Sequence, residues 1–300
     1  MKILLLGKNG QVGWELQRSL ALLGDVVALD FDSPGPLKAD FSLPESLAET
    51  VQAVAPQIIV NAAAHTAVDR CESEPERARA LNAEAPAVLA RAAREHGATL
   101  VHYSTDYVFD GSGSAPWREG DATGPLSVYG ATKLAGEEAI RNSGCAHLIL
   151  RTSWVHSARG GNFARTMLKL GSEREALSIV HDQVGAPTSA ELLADTTATM
   201  LRRLQLEPAL AGTYHVAAAG ECSWYDYAQH VFAFARAHGR PLKVTPESVS
   251  PIASSAYPTP AARPANSRLD TAKAGAAFDL AFPTWQAGVD RSVAEMLDQK

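Results

Sequence analysis

The sequence predicts an α/β fold, a doubly wound parallel sheet with helices on both faces, followed by a smaller C-terminal α/β part. Three observations predict it. Short apolar runs alternate with longer stretches of helical spacing through the first half of the chain. The runs are apolar on consecutive residues, as strands covered on both faces are. The rhythm changes near residue 152. Alternating strand and helix implies right-handed crossovers between parallel strands.

Taken in order, residues 3–6, 26–29, 57–61, 99–103 and 147–150 read as strands, and residues 12–23, 44–54, 75–96 and 129–142 as the helices between them. Beyond residue 152, helical spacing recurs at 162–170, 190–204 and 224–238, mixed with short strands and loops such as 182–188. Residues 246–264 are dense in Pro, Ser and Ala and read as an ordered or semi-ordered loop. We therefore expect residues 1–152 to form the sheet domain, with some later segments returning to it. Residues 153–300 should be mainly a ligand-binding part laid on the carboxyl edge of the sheet.

Composition narrows the class. In 300 residues, hydrophobic types make up 46% and charged types 20%, ordinary values for a folded protein with a sizeable core. Acidic residues outnumber basic ones, 33 to 27, without a basic stripe, so a nucleic-acid partner is not expected. Cys71, Cys145 and Cys222 are odd in number and lack CxxC spacing, which argues for reduced thiols rather than disulfides or zinc. The apolar start ends at Gly7, too soon for a signal segment, and no run reaches a membrane span. A cytoplasmic location without membrane contact is the expectation.

The first strand leads into Gly7, Lys8, Asn9, Gly10, Gln11, Val12 and Gly13, a GxxGxxG at a strand-to-helix turn. Glycine allows the tight turn, lets a pyrophosphate approach the backbone and allows close helix packing, while the helix N-terminus favours the phosphate charge. The pattern predicts a dinucleotide site. Asp30 closes the second strand, where a carboxylate accepts from the adenosine ribose; taken alone it favours NADH over NADPH, although Lys8 and Lys38 lie near in sequence. Asp40 and Phe41 are placed to cover the adenine. Ala62, Ala63 and Ala64 follow the third strand as small residues against which a cofactor can lie. His65 reads first as a loop histidine with a hydrogen-bond partner.

Tyr129 and Lys133 lie four apart at the start of a predicted helix, on one face. The fourth strand ends in Tyr103, Ser104, Thr105 and Asp106, which brings hydroxyls to the same sheet edge. Reducing a ketone takes a hydride at carbon and a proton at oxygen. Tyr129 is the expected donor, Lys133 the ammonium that lowers its pKa and bonds the nicotinamide ribose, and Thr105 the group that holds the substrate oxygen. Arg263 and Arg268 are candidates for a diphosphate, and an acidic protein that takes an anion should gather positive charge in its cleft.

With GxxGxxG, Thr105 and YxxxK in place, the chain resembles the extended short-chain dehydrogenases/reductases of Rossmann type. More narrowly it is similar to the dTDP-4-dehydrorhamnose reductase family. The segments carrying the closer likeness are GKNGQVGWELQ, VNAAAHTAVDRCESEPE, HYSTDYVFDG, VYGATKLAGE, LRTSWVH, HDQVGAPT and AYPTPAARPANSRLD, spread from residue 7 to residue 270. The resemblance implies reduction by NADPH or NADH of the C4 ketone of dTDP-4-dehydro-6-deoxy-L-mannose, the last step towards dTDP-L-rhamnose. It implies cofactor contacts at Gly10, Gln11, Val12, Asp30, Asp40, Phe41, Ala64, His65, Thr66 and Tyr103, and sugar contacts at Asp106 and Trp154. It also implies a homodimer with Mg²⁺ held by Glu15, Glu191 and Glu295, a set whose spacing shows no metal. Two other readings are a nucleotide-sugar epimerase or dehydratase and a non-catalytic regulatory subunit. The Asp-Tyr pair after Thr105, in place of Asp-Glu, argues against dehydration. The intact Tyr129 and Lys133 argue against the subunit.

Overall fold

The computed structural model describes residues 1–298. Six parallel strands form the central sheet: β1 (Lys2–Leu6), β2 (Asp25–Leu29), β3 (Ile58–Asn61), β4 (Thr99–Thr105), β5 (His147–Thr152) and β6 (Gly212–His215). Their order is β6-β5-β4-β3-β1-β2, with every neighbouring pair parallel. The order reverses between β1 and β3, so a crevice opens at their carboxyl ends, where this architecture binds ligands.

Consecutive strand residues point to opposite faces, and both faces are covered. Leu4 and Leu6 of β1 join Ile59, Leu100 and Ile149 under helices α2 (Glu45–Val54), α3 (Ala85–His96) and α4 (Val128–Ser143). Ile3 and Leu5 join Val60, Val101 and Leu148 on the other face, under α1 (Gln11–Leu20) and a helix from the second half, α6 (Ala190–Leu206). Burial on both faces is why these strands read as unbroken apolar runs.

Strand β6 and helix α6 come from beyond residue 152, so the second half of the chain completes the first half's sheet. The remainder builds its own core from α5 (Phe163–Glu173), α7 (Trp224–Ala237) and α9 (Trp285–Asp298), with Leu168, Val231, Phe232, Val289 and Val293 inside. Between α7 and α9, the short α8 (Ala272–Phe278) returns Phe278 to the sheet core.

Three sequence expectations are corrected. Helix α1 stops at Leu20, short of residue 23, as the chain turns before β2. The single helix expected over 75–96 is a short helix Pro75–Arg79, a wide π-turn Ala80–Glu84 and then α3. The wide turn has a local cause: Asn82 accepts from the His65 N–H at 2.8 Å and donates to the His65 carbonyl at 3.1 Å, pinning the loop after β3. Within the segment read as loop, Val249–Ile252 pairs in parallel with Leu177–Val180; Pro251 is tolerated because this two-stranded sheet is all edge.

Candidate active site

The crevice is a cleft of about 880 Å³ floored by the carboxyl ends of β1, β3, β4 and β5. At its β1 end the backbone turns at Gly7, whose φ is +89° and whose missing Cβ leaves the Ala63 amide room; an added carbon would lie 2.8 Å from that nitrogen. Gly13 serves packing: a Cβ there would sit 1.9 Å from the Gly7 carbonyl oxygen. Gly13 is absent from the lining and fixes how closely α1 approaches the loop. Gly10, the N-cap of α1, meets only Gly7 O at 3.4 Å, makes no side-chain cap and looks into open space. The first amides of α1 thus face the cleft without an acceptor, a fit for a pyrophosphate.

Further along, Asp30 Oδ2 accepts from the Asn9 N–H at 3.0 Å and Oδ1 from the Phe31 N–H at 2.8 Å. Asp40 is held by Ser42, and Phe41 is buried against the α2 and α3 core while still lining the cleft. Gln11, Val12, Ala62, Ala63, Ala64, Thr66 and Tyr103 line it as well. Tyr103 is aimed by its hydroxyl, 2.6 Å from Thr197 Oγ1 on α6.

Two expected contacts go elsewhere. His65 is buried outside the lining, with Nε2 3.4 Å from Glu74 Oε2; the π-turn that pins its backbone turns the ring from the cleft. Arg268 donates to Glu221 at 2.6 Å and lines neither large cavity. Arg263 does line the cleft, held by Asp69 at 2.7 Å and Tyr107 Oη at 3.2 Å. The expected cationic excess is also missing: Arg77, Lys133 and Arg263 stand against Asp30, Asp40 and Asp106.

Helix α4 carries Tyr129 and Lys133 to the cleft. Ser127 caps it, accepting from the Gly130 N–H at 3.2 Å, and this starts the helix one residue before Tyr129. Tyr129 packs edge-on against Tyr107 at 5.4 Å, and burial raises its phenol above the usual range against a lowering hydrogen bond to Thr105. Thr105 is 4% exposed and donates to Asp106 Oδ1 at 3.0 Å. Burial pushes the Asp106 carboxyl up to about 6 against lowering hydrogen bonds from Ser267 and Thr105. Lys133 is 2% exposed, and burial draws its ammonium down to about 8. Its Nζ donates to the Tyr103 carbonyl at 2.6 Å and lies 3.2 Å from His102 Nε2. Burial is the largest influence on the Tyr129 phenol, and Lys133 is engaged on β4.

Below the floor, Glu137, one turn beyond Lys133 on α4, is fully buried. It accepts from Arg151 at 2.6 and 2.9 Å and from Ser104 Oγ at 2.5 Å. This ion pair ties α4 to β4 and β5 beneath the cleft.

Trp154 adopts left-handed backbone at φ 49° and stacks on Trp224 at 3.6 Å, with both rings on the cleft wall. A non-glycine residue at positive φ is a strained position of the sort ligand sites keep. Sequence reasoning missed Trp224, Tyr107 and Arg77 as lining residues; only Tyr107, in the pair that follows Thr105, carried a local signal.

Glu15, Glu191 and Glu295 share the α1/α6/α9 side, but Arg291 Nε lies 2.9 Å from Glu191 and 3.5 Å from Glu295, and Arg18 is 3.8 Å from Glu15. Among the described residues no three acidic, histidine or cysteine groups are gathered to hold a metal. Within one chain, this set does not fit Mg²⁺. Cys71, Cys145 and Cys222 are free and buried.

A family model described as RmlD substrate binding domain matches residues 1–298. A dTDP-4-dehydrorhamnose reductase from Salmonella typhimurium is 56% identical over 296 residues, 99% of this chain and 98% of the relative. A crystal structure of a dTDP-4-dehydrorhamnose reductase from Clostridium acetobutylicum has a TM-score of 0.87 at 34% identity, covering 99% and 100% of the two chains. One from Bacillus anthracis, in complex with NADP, has a TM-score of 0.86 at 34% identity, covering 98% and 99%.

Proposed function

The chain belongs to the RmlD substrate binding domain family, and from that premise we propose that it reduces the C4 ketone of dTDP-4-dehydro-6-deoxy-L-mannose to dTDP-L-rhamnose with NADPH or NADH. It is an NAD(P)H-dependent oxidoreductase of nucleotide-sugar metabolism. The observation that carries the reading is the convergence of Thr105, Tyr129 and Lys133 on one cleft with the glycine turn and the free N-terminus of α1.

The cofactor, when bound, supplies the hydride. The chain's residues supply the rest. Gly10 and the α1 amides receive the pyrophosphate, Asp30 the adenosine ribose, and Lys133 the nicotinamide ribose. Thr105 holds the ketone oxygen, and Tyr129, kept as a phenol by burial, gives it a proton. Trp154 and Trp224 form an aromatic wall for the sugar nucleotide, Asp106 accepts from a sugar hydroxyl, and Arg263 faces the diphosphate. A homodimer is part of the same proposal, as is a cytoplasmic location. No helix among the described residues is long and apolar enough to cross a membrane.

Tyr129→Phe tests it. Turnover, followed as loss of NADPH absorbance with the keto sugar nucleotide, should fall roughly 10² to 10⁴-fold with cofactor affinity unchanged. Near-normal turnover would remove Tyr129 from the donor role. An epimerase would show no net NADPH consumption.

A further inference from the structure

Beside the cleft lies a second cavity of about 830 Å³, and the two share Tyr107, Trp224 and Arg263 in their walls. Arg263 stands on a loop, residues 257–264, that comes from the second half of the chain and crosses to the first. The flanks of this loop are fixed elsewhere: Ser254 Oγ donates to Asp182 Oδ1 at 2.5 Å, and the Asn266 N–H donates to the Gly111 carbonyl at 3.0 Å. From residue 257 to residue 263, the hydrogen bonds that leave the loop run, among the described residues, to Asp69 and Tyr107. Asp69 belongs to the short helix Val68–Ser73 after β3. Its Oδ1 accepts from the Ala261 N–H at 3.2 Å and its Oδ2 from Arg263 Nη2 at 2.7 Å, so one carboxylate grips the loop by its backbone and by its cation. Arg263 Nη1 donates to Tyr107 Oη at 3.2 Å. A guanidinium carries five N–H groups, so the two side-chain bonds fix its plane and still leave donors for an anion.

We propose that Asp69 is the positioning residue for Arg263, holding the guanidinium where the two cavities meet so that it faces the diphosphate of a sugar nucleotide already oriented. The ligand in this statement rests on the reductase reading, whereas the grip on the loop does not. Two effects of Asp69 oppose each other. As a charge beside an anion it repels, weakly, because its side chain is 40% exposed and screened by solvent. As an anchor it spares the ligand the ordering of a long side chain, an effect of up to about tenfold in affinity. The anchor is the larger, so removing the carboxylate should weaken binding even though a repulsive charge goes with it.

Asp69→Asn keeps an acceptor for the Ala261 N–H and removes the charge that holds Arg263. KM for the keto sugar nucleotide should rise about tenfold, with kcat changed less than about threefold and NADPH affinity kept. An unchanged or lowered KM, or a kcat that falls as far as KM rises, overturns the proposal. In an Arg263→Gln background the same substitution should change KM by less than about twofold, since its route is gone, and an effect of about tenfold there also overturns it. The grip itself is read by hydrogen exchange with mass spectrometry. In Asp69→Ala, residues 257–263 should exchange about tenfold faster than in the unmodified protein; equal rates overturn the proposal. If the unmodified protein consumed no NADPH with the keto sugar nucleotide while the exchange difference was present, the reductase reading would fall and the hold of Asp69 on Arg263 would stand.

Discussion

Gly13→Ala separates what the glycine motif does by packing from what it does by contact. By intrinsic propensity, alanine inside a helix is favoured over glycine by about 1 kcal/mol, so on an isolated helix the change would stabilise. In this fold the new Cβ would lie 1.9 Å from Gly7 O and 2.7 Å from Gly7 C, both backbone atoms. Ordinary contact begins at 3.4 Å, so α1 and the loop must part by about 1.5 Å in an interior packed at crystal density. Overpacking of this kind costs about 1–3 kcal/mol, which outweighs the propensity gain. The same displacement moves the Gly10 turn off the pyrophosphate, and a 1 Å error in a positioned site costs about 10². We expect NADPH affinity, measured by quenching of tryptophan fluorescence, to weaken about 100-fold and the melting temperature to fall by a few degrees. Gly120→Ala, where the added carbon meets nothing within 4 Å, serves as the control. A Gly13→Ala protein that binds NADPH within twofold of wild type would refute the packing argument.

Two further substitutions probe the buried charges. Glu137→Ala strands the Arg151 guanidinium, itself 2% exposed, and should cost about 3–5 kcal/mol in urea unfolding; a loss below about 1 kcal/mol would contradict the assignment. Asp106→Asn should change stability at one pH and leave it unchanged at another. The carboxyl is raised from 3.8 to about 6 in the fold, so the native state favours the protonated acid, an advantage complete below pH 3.8 and lost as pH rises through 6. Ionisation then costs roughly 3 kcal/mol at pH 8. The asparagine variant should therefore be more stable than wild type by about 2–3 kcal/mol at pH 8 and equal to it at pH 4, by thermal or urea unfolding at each. An equal difference at both pH values would show that burial of the Asp106 charge is not the cause.

The sheet was legible because β1, β3, β4 and β5 are covered on both faces and so lack polar alternation. Strand β6 was not. Gly212, Thr213, Tyr214 and His215 form a short edge strand with one buried aromatic and no apolar run, and only its pairing with β5 places it. At the site, Tyr129 and Lys133 were readable because a helix makes four-residue spacing a spatial fact. Arg268 was misjudged since sequence gives a basic residue near the cleft but not its partner, and Glu221 lies 47 residues away. His65 was misplaced for a similar reason: the π-turn that holds its backbone comes from Asn82, in a stretch whose periodicity suggests an unbroken helix.

The largest gap between sequence and structure lies in the ionisation of the proposed catalytic pair, Tyr129 and Lys133. Spacing suggests an ammonium beside a phenol, and hence a tyrosinate. Burial raises the phenol and so favours its protonated form, and it lowers the lysine only to about 8, which leaves the lysine mainly an ammonium at neutral pH. A protonated phenol is the form that gives a proton to a developing alkoxide, whereas oxidation of an alcohol would need the phenolate as base. The protein cannot move the equilibrium of its reaction, but it sets which direction finds the resting site ready. A cleft that keeps the Tyr129 proton in place is prepared for reduction.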